Sequence, residues 1–220
     1  MIRNIGIVLL PFVWLLGCTS AEDPEPAQPG DAASSEAAPD AASADGAPAA
    51  AAEDESVTLF DGTNLDRWNI LGDANWELVN DYVRADTGNG FLVSDLAYDN
   101  FELTLEFFVN VEANSGVFIR CQDPEQIGAA NCYEVNIFDT RADQTYRTGG
   151  IVDFAAPAAI INTGGRWNSY EIVADGSRLL VTLNGTVTVD IEDETMSSGP
   201  FALQYGAGAV MFRNVRVRSL

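Results

Sequence analysis

The sequence predicts an all-β domain, a two-sheet antiparallel sandwich or jelly roll, and three observations carry that prediction. From residue 57 onward the chain breaks into about a dozen short alternating or apolar runs bounded by Gly, Asn and Asp. Asn184-Gly185 joins two of these runs as a two-residue hairpin, and Asp175-Gly176 is a second turn of the same kind. No helical repeat appears, and so many strands in residues 57–220 close best as two packed sheets around one sizeable core.

The first eighteen residues are set apart from that domain. Arg3 supplies a positive start, residues 5–16 form an apolar run, and Leu15-Leu16-Gly17-Cys18 closes it. The run is too short to span a bilayer as a mature helix, so residues 1–18 read as a cleaved signal. Its end resembles a bacterial lipobox. The resemblance implies lipid modification of Cys18 and a stable membrane anchor, and Thr19 after it leans towards the periplasmic face of the outer membrane or the cell surface. Residues 19–56 hold ten acidic residues, no basic residue and no aromatic, with five prolines. Such a segment cannot bury enough apolar area to offset its ordering entropy, and it is expected to be a disordered, self-repelling tether.

Within 57–220 the expected strands are 76–79, 82–85, 90–94, 101–111, 116–121, 132–138, 150–154, 167–174, 178–183, 186–190, 199–205 and 210–218. Trp68, Trp76 and Trp167 begin or flank strands and are expected mainly to fill core or corner space. Arg213 alternates with apolar residues in the last strand and is expected to pair with an acid of the sheet. Cys121 and Cys132 end two strands joined by a ten-residue loop in an exported chain. That predicts a disulfide worth roughly 2–3 kcal/mol. A free buried pair is the alternative, because strand parity does not require both to point to one face.

Composition excludes whole classes of chemistry. The chain has 33 acidic and 11 basic residues, a net charge of −22, and no His; every basic residue is Arg. Schiff-base chemistry, histidine-based nucleophilic triads and imidazole metal sites are therefore absent. The negative charge repels phosphate backbones, which excludes nucleic acid as a partner. Acidic loops on such a fold are compatible with a divalent metal ion such as calcium, but no complete ligand loop is present; no cofactor is otherwise indicated.

Several motifs follow one another in order: Leu59-Phe60-Asp61-Gly62-Thr63-Asn64-Leu65-Asp66-Arg67-Trp68, Phe101-Glu102-Leu103, Asn114-Ser115-Gly116-Val117-Phe118-Ile119-Arg120, Tyr133-Glu134-Val135-Asn136-Ile137, Thr148-Gly149-Gly150, Trp167-Asn168, Leu183-Asn184-Gly185 and Phe212-Arg213-Asn214-Val215. Together they resemble the 3-keto-disaccharide hydrolase family across essentially all of 57–220. The resemblance implies a concanavalin-like jelly roll, a periplasmic or surface setting, and a carbohydrate substrate, in particular a glycoside oxidised at carbon 3 of the sugar.

The residues give a compatible site. Alternation in 133–139 puts Glu134, Asn136 and Phe138 on one face, and the preceding strand sets Arg120 with Phe118. If the two strands pair across their loop, Arg120 comes near Glu134. The chemistry implied by the resemblance needs one general base and a group to hold an enolate oxygen, which assigns Glu134 as base and Arg120 as anchor. An ion pair on a solvated sheet face is the bland alternative. Asp139 is the second candidate acid and Asp153 the third; Asp139, Arg141, Asp143 and Gln144 form a polar loop expected to rim the same face. Asn114 and Ser115 either make a turn or hold sugar hydroxyl groups, and Asn136 is a further candidate sugar contact.

Many relatives carry His near the Leu-Gln motif that here reads Leu203-Gln204-Tyr205-Gly206, and Tyr205 is the candidate replacement for one of them. Without those imidazoles the alternative to an enzyme is a non-catalytic carbohydrate-binding lipoprotein. A conventional two-carboxylate endoglycanase is weakest, because no Glu-x-Asp-x-x-Glu strand pattern occurs.

Overall fold

The computed structural model describes residues 56–220. The signal segment 1–18 with Cys18, and all of the tether except Ser56, lie outside the described residues. Thirteen strands follow in order: β1 Val57–Phe60, β2 Trp68–Gly72, β3 Glu77–Val79, β4 Tyr82–Ala85, β5 Gly90–Tyr98, β6 Phe101–Val109, β7 Ser115–Ile119, β8 Tyr133–Ile137, β9 Arg166–Asp175, β10 Arg178–Leu183, β11 Thr186–Glu192, β12 Gly199–Tyr205 and β13 Val210–Ser219. The only helix among the described residues is a single 3-10 turn, Gln144–Tyr146.

The strands make an all-β sandwich of two antiparallel sheets. The larger runs β11-β10-β9-β6-β13-β4-β3, and the smaller runs β2-β5-β12-β7-β8. β13 pairs with β6 over most of its length, while its other edge serves β4 at Val210 to Phe212 and β1 at Val215 to Val217. A bulge between Arg213 and Arg216 bends it, and Asn214 takes φ +52° there.

Alternation builds the core. β6 turns Phe101, Leu103, Leu105, Phe107 and Val109 inward, and β9 answers with Tyr170, Ile172 and Ala174. From the small sheet come Val117, Ile119, Tyr133, Val135, Ile137, Phe201 and Leu203. The two sheets differ on their outer faces. In the large sheet alternate residues are wet, as expected of an antiparallel sheet with one solvated side. In β7 every residue is buried, and in β8 and β12 nearly every one. The outer side of the small sheet is therefore covered too, and that covered face holds the site.

One expected strand is absent and two strands were not expected. Residues 150–154 are not a strand: Ile151 makes single bridges to Val135 and Ala155, and Asp153 turns the chain with φ +67°. The strands β1 and β2 lie in the segment that the alternation did not resolve. Trp68 is buried and donates its indole N–H to the Leu59 carbonyl at 2.9 Å. Trp76 packs against the core beside Phe212. Trp167, by contrast, lies on the outer face of the large sheet with Tyr82 and Phe108, and Arg213 stacks 4.0 Å above its ring. Arg213 also pairs with Glu106 at 2.5 Å and Asp81 at 3.4 Å, the structural role expected of it.

Cys121 and Cys132 are joined as a disulfide. The bridge closes the loop between β7 and β8, and Ile127 from that loop packs on Val93, Phe118 and Ala202 of the small sheet's outer face.

Candidate functional site

The site starts from a register. β7 and β8 pair so that Phe118 faces Glu134 and Gly116 faces Asn136. Phe118 belongs to the apolar cluster on the outer face, where it meets Phe91 edge-on at 5.4 Å. Glu134 thus stands on the outer face of an almost completely buried strand, next to an aromatic ring. Its carboxyl leans towards Gly116, which has no side chain to keep it away: a Cβ there would lie 3.3 Å from the Glu134 Cγ and Oε1.

Burial pushes the Glu134 pKa up to about 7; the Arg141 guanidinium pulls against this, and the Asp153 charge adds to it. A carboxyl poised near neutrality is suited to exchanging protons. Both modulating charges are placed by the chain around β8. The Val152 N–H donates to the Glu134 carbonyl at 3.0 Å, so Asp153 follows directly beside it. Arg141 sits in the loop leaving β8, where its N–H donates to the Phe138 carbonyl and its own carbonyl accepts from the Gln144 amide. Among the described residues the Arg141 guanidinium has no hydrogen-bond or ion-pair partner, so it is a cation available to a ligand.

Arg120 does not join this site. Its φ of +52° breaks the alternation after Ile119 and sends the side chain elsewhere. The guanidinium, with Arg120 only 1% exposed, donates to the carbonyls of Asp99, Gly176 and Met196 and to the Asn100 side chain. With its donors committed, Arg120 ties loops together, and Arg141 supplies the free cation beside Glu134.

Asp139 is also structural. Its carboxylate accepts from the Thr148 hydroxyl at 2.6 Å, the Thr163 N–H at 2.5 Å and hydroxyl at 3.1 Å, and the Gly164 N–H at 3.1 Å, with Arg147 at 3.6 Å. A carboxylate so surrounded by donors holds the loop carrying Arg141 and has little capacity left for a proton-transfer role. Ser115 donates its hydroxyl to the Gln204 carbonyl at 2.7 Å and is fully buried, so it is not a sugar contact. Asn114 makes a backbone bridge with Ala207 just before β7. Tyr205 points into the core and donates its hydroxyl to the Gly208 carbonyl at 3.2 Å; strand parity places it on the side opposite Glu134. It cannot stand in for a missing imidazole.

Asn136 is at the site, fully buried, with its amide donating to the Tyr146 carbonyl and its Oδ1 left without a donor. Gln204 was not among the expected residues. It is the polar member of the otherwise apolar stretch from Phe201 to Tyr205, which is the signal that could have found it, and its buried Oε1 also lacks a donor. Among the described residues no group of three or more acidic or Cys side chains is placed to hold a metal ion. A separate cavity of about 600 Å³ lies on the outer face of the large sheet by Thr104, Glu171 and Arg216.

The fold recurs in solved structures. Two proteins from Parabacteroides distasonis named as putative glycosyl hydrolases superpose with TM-scores of 0.67 and 0.65 at 17% and 24% identity. The first match covers 75% of this chain and 94% of the other, the second 76% and 100%. The carbohydrate-binding module CBM66 from Bacillus subtilis gives a TM-score of 0.55 at 17% identity, over 70% of this chain and 96% of the module. No curated protein matches the sequence. The model of the 3-keto-alpha-glucoside-1,2-lyase-like domain matches residues 55–218, and the chain belongs to that carbohydrate-directed family.

Proposed function

We propose that the domain cleaves 3-keto-glycosides by elimination and hydration, with Glu134 as the general base. The observation that carries this reading is the half-buried carboxyl with a pKa of about 7 beside an unpaired guanidinium. A ketone at carbon 3 acidifies the proton on carbon 2. Glu134 takes that proton, and the electron pair passes into the carbonyl as an enolate, whose oxygen Arg141 stabilises. Collapse of the enolate re-forms the ketone, makes the carbon 1–carbon 2 double bond and breaks the bond from carbon 1 to the glycosidic oxygen. The departing oxygen takes up a proton. Water then adds across the double bond, hydroxyl to carbon 1 and hydrogen to carbon 2, giving the free keto sugar. Only one acid of tuned pKa is needed, which suits a site where the second expected acid, Asp139, is occupied.

The experiment is product formation by the purified protein on a 3-keto-disaccharide beside the unoxidised disaccharide. Cleavage of the keto sugar alone, lost in Glu134→Gln, is the expected result. Cleavage of both sugars, or turnover unchanged in the variant, would remove this mechanism. The likeness of the fold to CBM66 supports a second reading, a non-catalytic sugar-binding domain; saturable binding without turnover of either sugar would favour it.

We also place the domain on a lipid anchor at Cys18, exported to the periplasmic face of the outer membrane or the cell surface. The apolar run ending in Leu15-Leu16-Gly17-Cys18 supports this. Incorporation of labelled fatty acid, lost in Cys18→Ala, is the test.

A further inference from the structure

We propose that Gln204 and Asn136, on either side of Gly116, form a hydroxyl-reading subsite that selects keto-glycosides carrying a free hydroxyl group next to the ketone. The inference rests on the reading of Glu134 as the base, and it adds what the site demands of the rest of the sugar.

The sheet order places the three residues in one row. Asn136 faces Gly116 across β7 and β8. On the other side of β7, Ala202 pairs with Phe118 and Leu203 with Val117, so the next residue, Gln204, flanks Gly116. It also faces Phe91 of β5. Ala202 packs in the outer cluster whereas Phe201, Leu203 and Tyr205 lie in the core, so Gln204 points outward by alternation. Gly116 lies between the two amides, and the Glu134 carboxyl and the Phe118 ring close over it, each 3.3 Å from where a Cβ would sit.

The two amide oxygens, Oδ1 of Asn136 and Oε1 of Gln204, are buried and have no donor. Native proteins rarely leave such groups unpaired, and two beside one glycine call for donors from a ligand. A ketone oxygen or a glycosidic oxygen only accepts, so neither can satisfy them. A sugar hydroxyl donates. The polarity of the site thus fixes the pose: ketone towards the Arg141 guanidinium, neighbouring hydroxyl groups towards the amides.

The test pairs enzyme and substrate changes. Kinetics are measured on a 3-keto-disaccharide and on analogues lacking the hydroxyl at carbon 2 or at carbon 4, with wild type and Gln204→Leu. Wild type is expected to lose about 10-fold or more in kcat/KM on at least one analogue. Gln204→Leu should lose a similar factor on the parent sugar and nothing further on that same analogue. Additive losses on both analogues would overturn the subsite.

Gly116→Ala gives an independent check, since its φ is an ordinary one and the added methyl presses on Glu134 and Phe118 at 3.3 Å. A raised KM is expected, with the melting temperature measured beside it; an unchanged KM counts against the inference. Should chelation abolish activity and a divalent ion restore it in wild type but not in Gln204→Leu, the amides bind metal and the hydroxyl reading fails. If wild type turns over no keto sugar, the proposed elimination fails by itself. The subsite is then read from calorimetric binding of the unoxidised disaccharide: binding lost in Gln204→Leu and Gly116→Ala sustains it, and binding retained in both, or absent in wild type, overturns it.

Discussion

Glu134 overhangs Gly116 so closely that the carbon a side chain would add there falls 3.3 Å from both its Cγ and its Oε1. Burial of the carboxyl raises its pKa to about 7. Proton abstraction needs the ionised form, so kcat/KM is expected to rise with pH and level off above about 7. A pH–rate profile checks this; a base limb near the ordinary carboxylate range would detach Glu134 from the chemistry.

The same shift has a consequence for stability that does not depend on substrate. The folded-state pKa of about 7 lies above the ordinary 4.5, so between those values the folded protein holds a proton that the unfolded chain has released. The contribution of this group to stability is therefore full below about 4.5 and falls as the pH rises to about 7, by an amount on the order of 3 kcal/mol. Glu134→Gln has no such loss. Its melting temperature relative to wild type should climb across that window, and parallel curves for the two proteins would mean that the carboxyl is not desolvated.

Arg141 is placed to act twice, on the base and on the enolate. Because its charge pulls the Glu134 pKa down, Arg141→Ala should move the rate profile to higher pH. Loss of the enolate partner should also lower kcat by roughly 100-fold, the scale seen when one preorganised donor is removed. Lower kcat with no displacement of the profile would separate Arg141 from Glu134.

Much of this fold could be read from alternation, and much of the site could not. β6, β9 and β10 follow a two-residue period because each has one face in the core, and Asn184-Gly185 marks its hairpin by chemistry alone. The outward placement of Glu134 and Asn136 was legible for the same reason, as the polar residues of an otherwise apolar strand. Arg120 misled because parity holds only while φ stays negative, and its +52° turn comes after Ile119. Asp139 misled because its partners, Thr148, Thr163 and Gly164, are distant in sequence, and a loop acid gives no local sign of being surrounded by donors. Gln204 stands out in the sequence as the polar member of an apolar stretch, but its place beside Gly116 needed the pairing of β12 with β7, a tertiary fact.

Arg120 is a structural residue of unusual reach. Arg120→Ala removes the donors for the Asp99, Gly176 and Met196 carbonyls together. Several kcal/mol of destabilisation are expected, since each buried acceptor left unpaired costs about 1–3 kcal/mol. Arg120→Lys should rescue little, as one ammonium cannot span the guanidinium's partners. Chemical denaturation of the two variants measures this, and a lysine variant as stable as wild type would count against the network.

The last prediction concerns Asp139, which holds the loop that carries Arg141. Asp139→Ala leaves the Thr163 and Gly164 N–H groups without their acceptor and Arg147 without its nearest carboxylate. Activity should fall, and so should stability, by about 2–4 kcal/mol for a buried charged network that loses one partner. A catalytic acid and a loop anchor then differ in one observable. If Asp139 acts only by positioning Arg141, residual turnover in Asp139→Asn keeps the Glu134 base limb, displaced upward to the extent that Arg141 has moved away. If Asp139 itself exchanged the proton, the base limb would be its own, and Asp139→Asn would abolish that limb together with kcat while the fold stayed intact. Rate profiles of Asp139→Asn, read beside its melting temperature and beside Arg141→Ala, decide between the two.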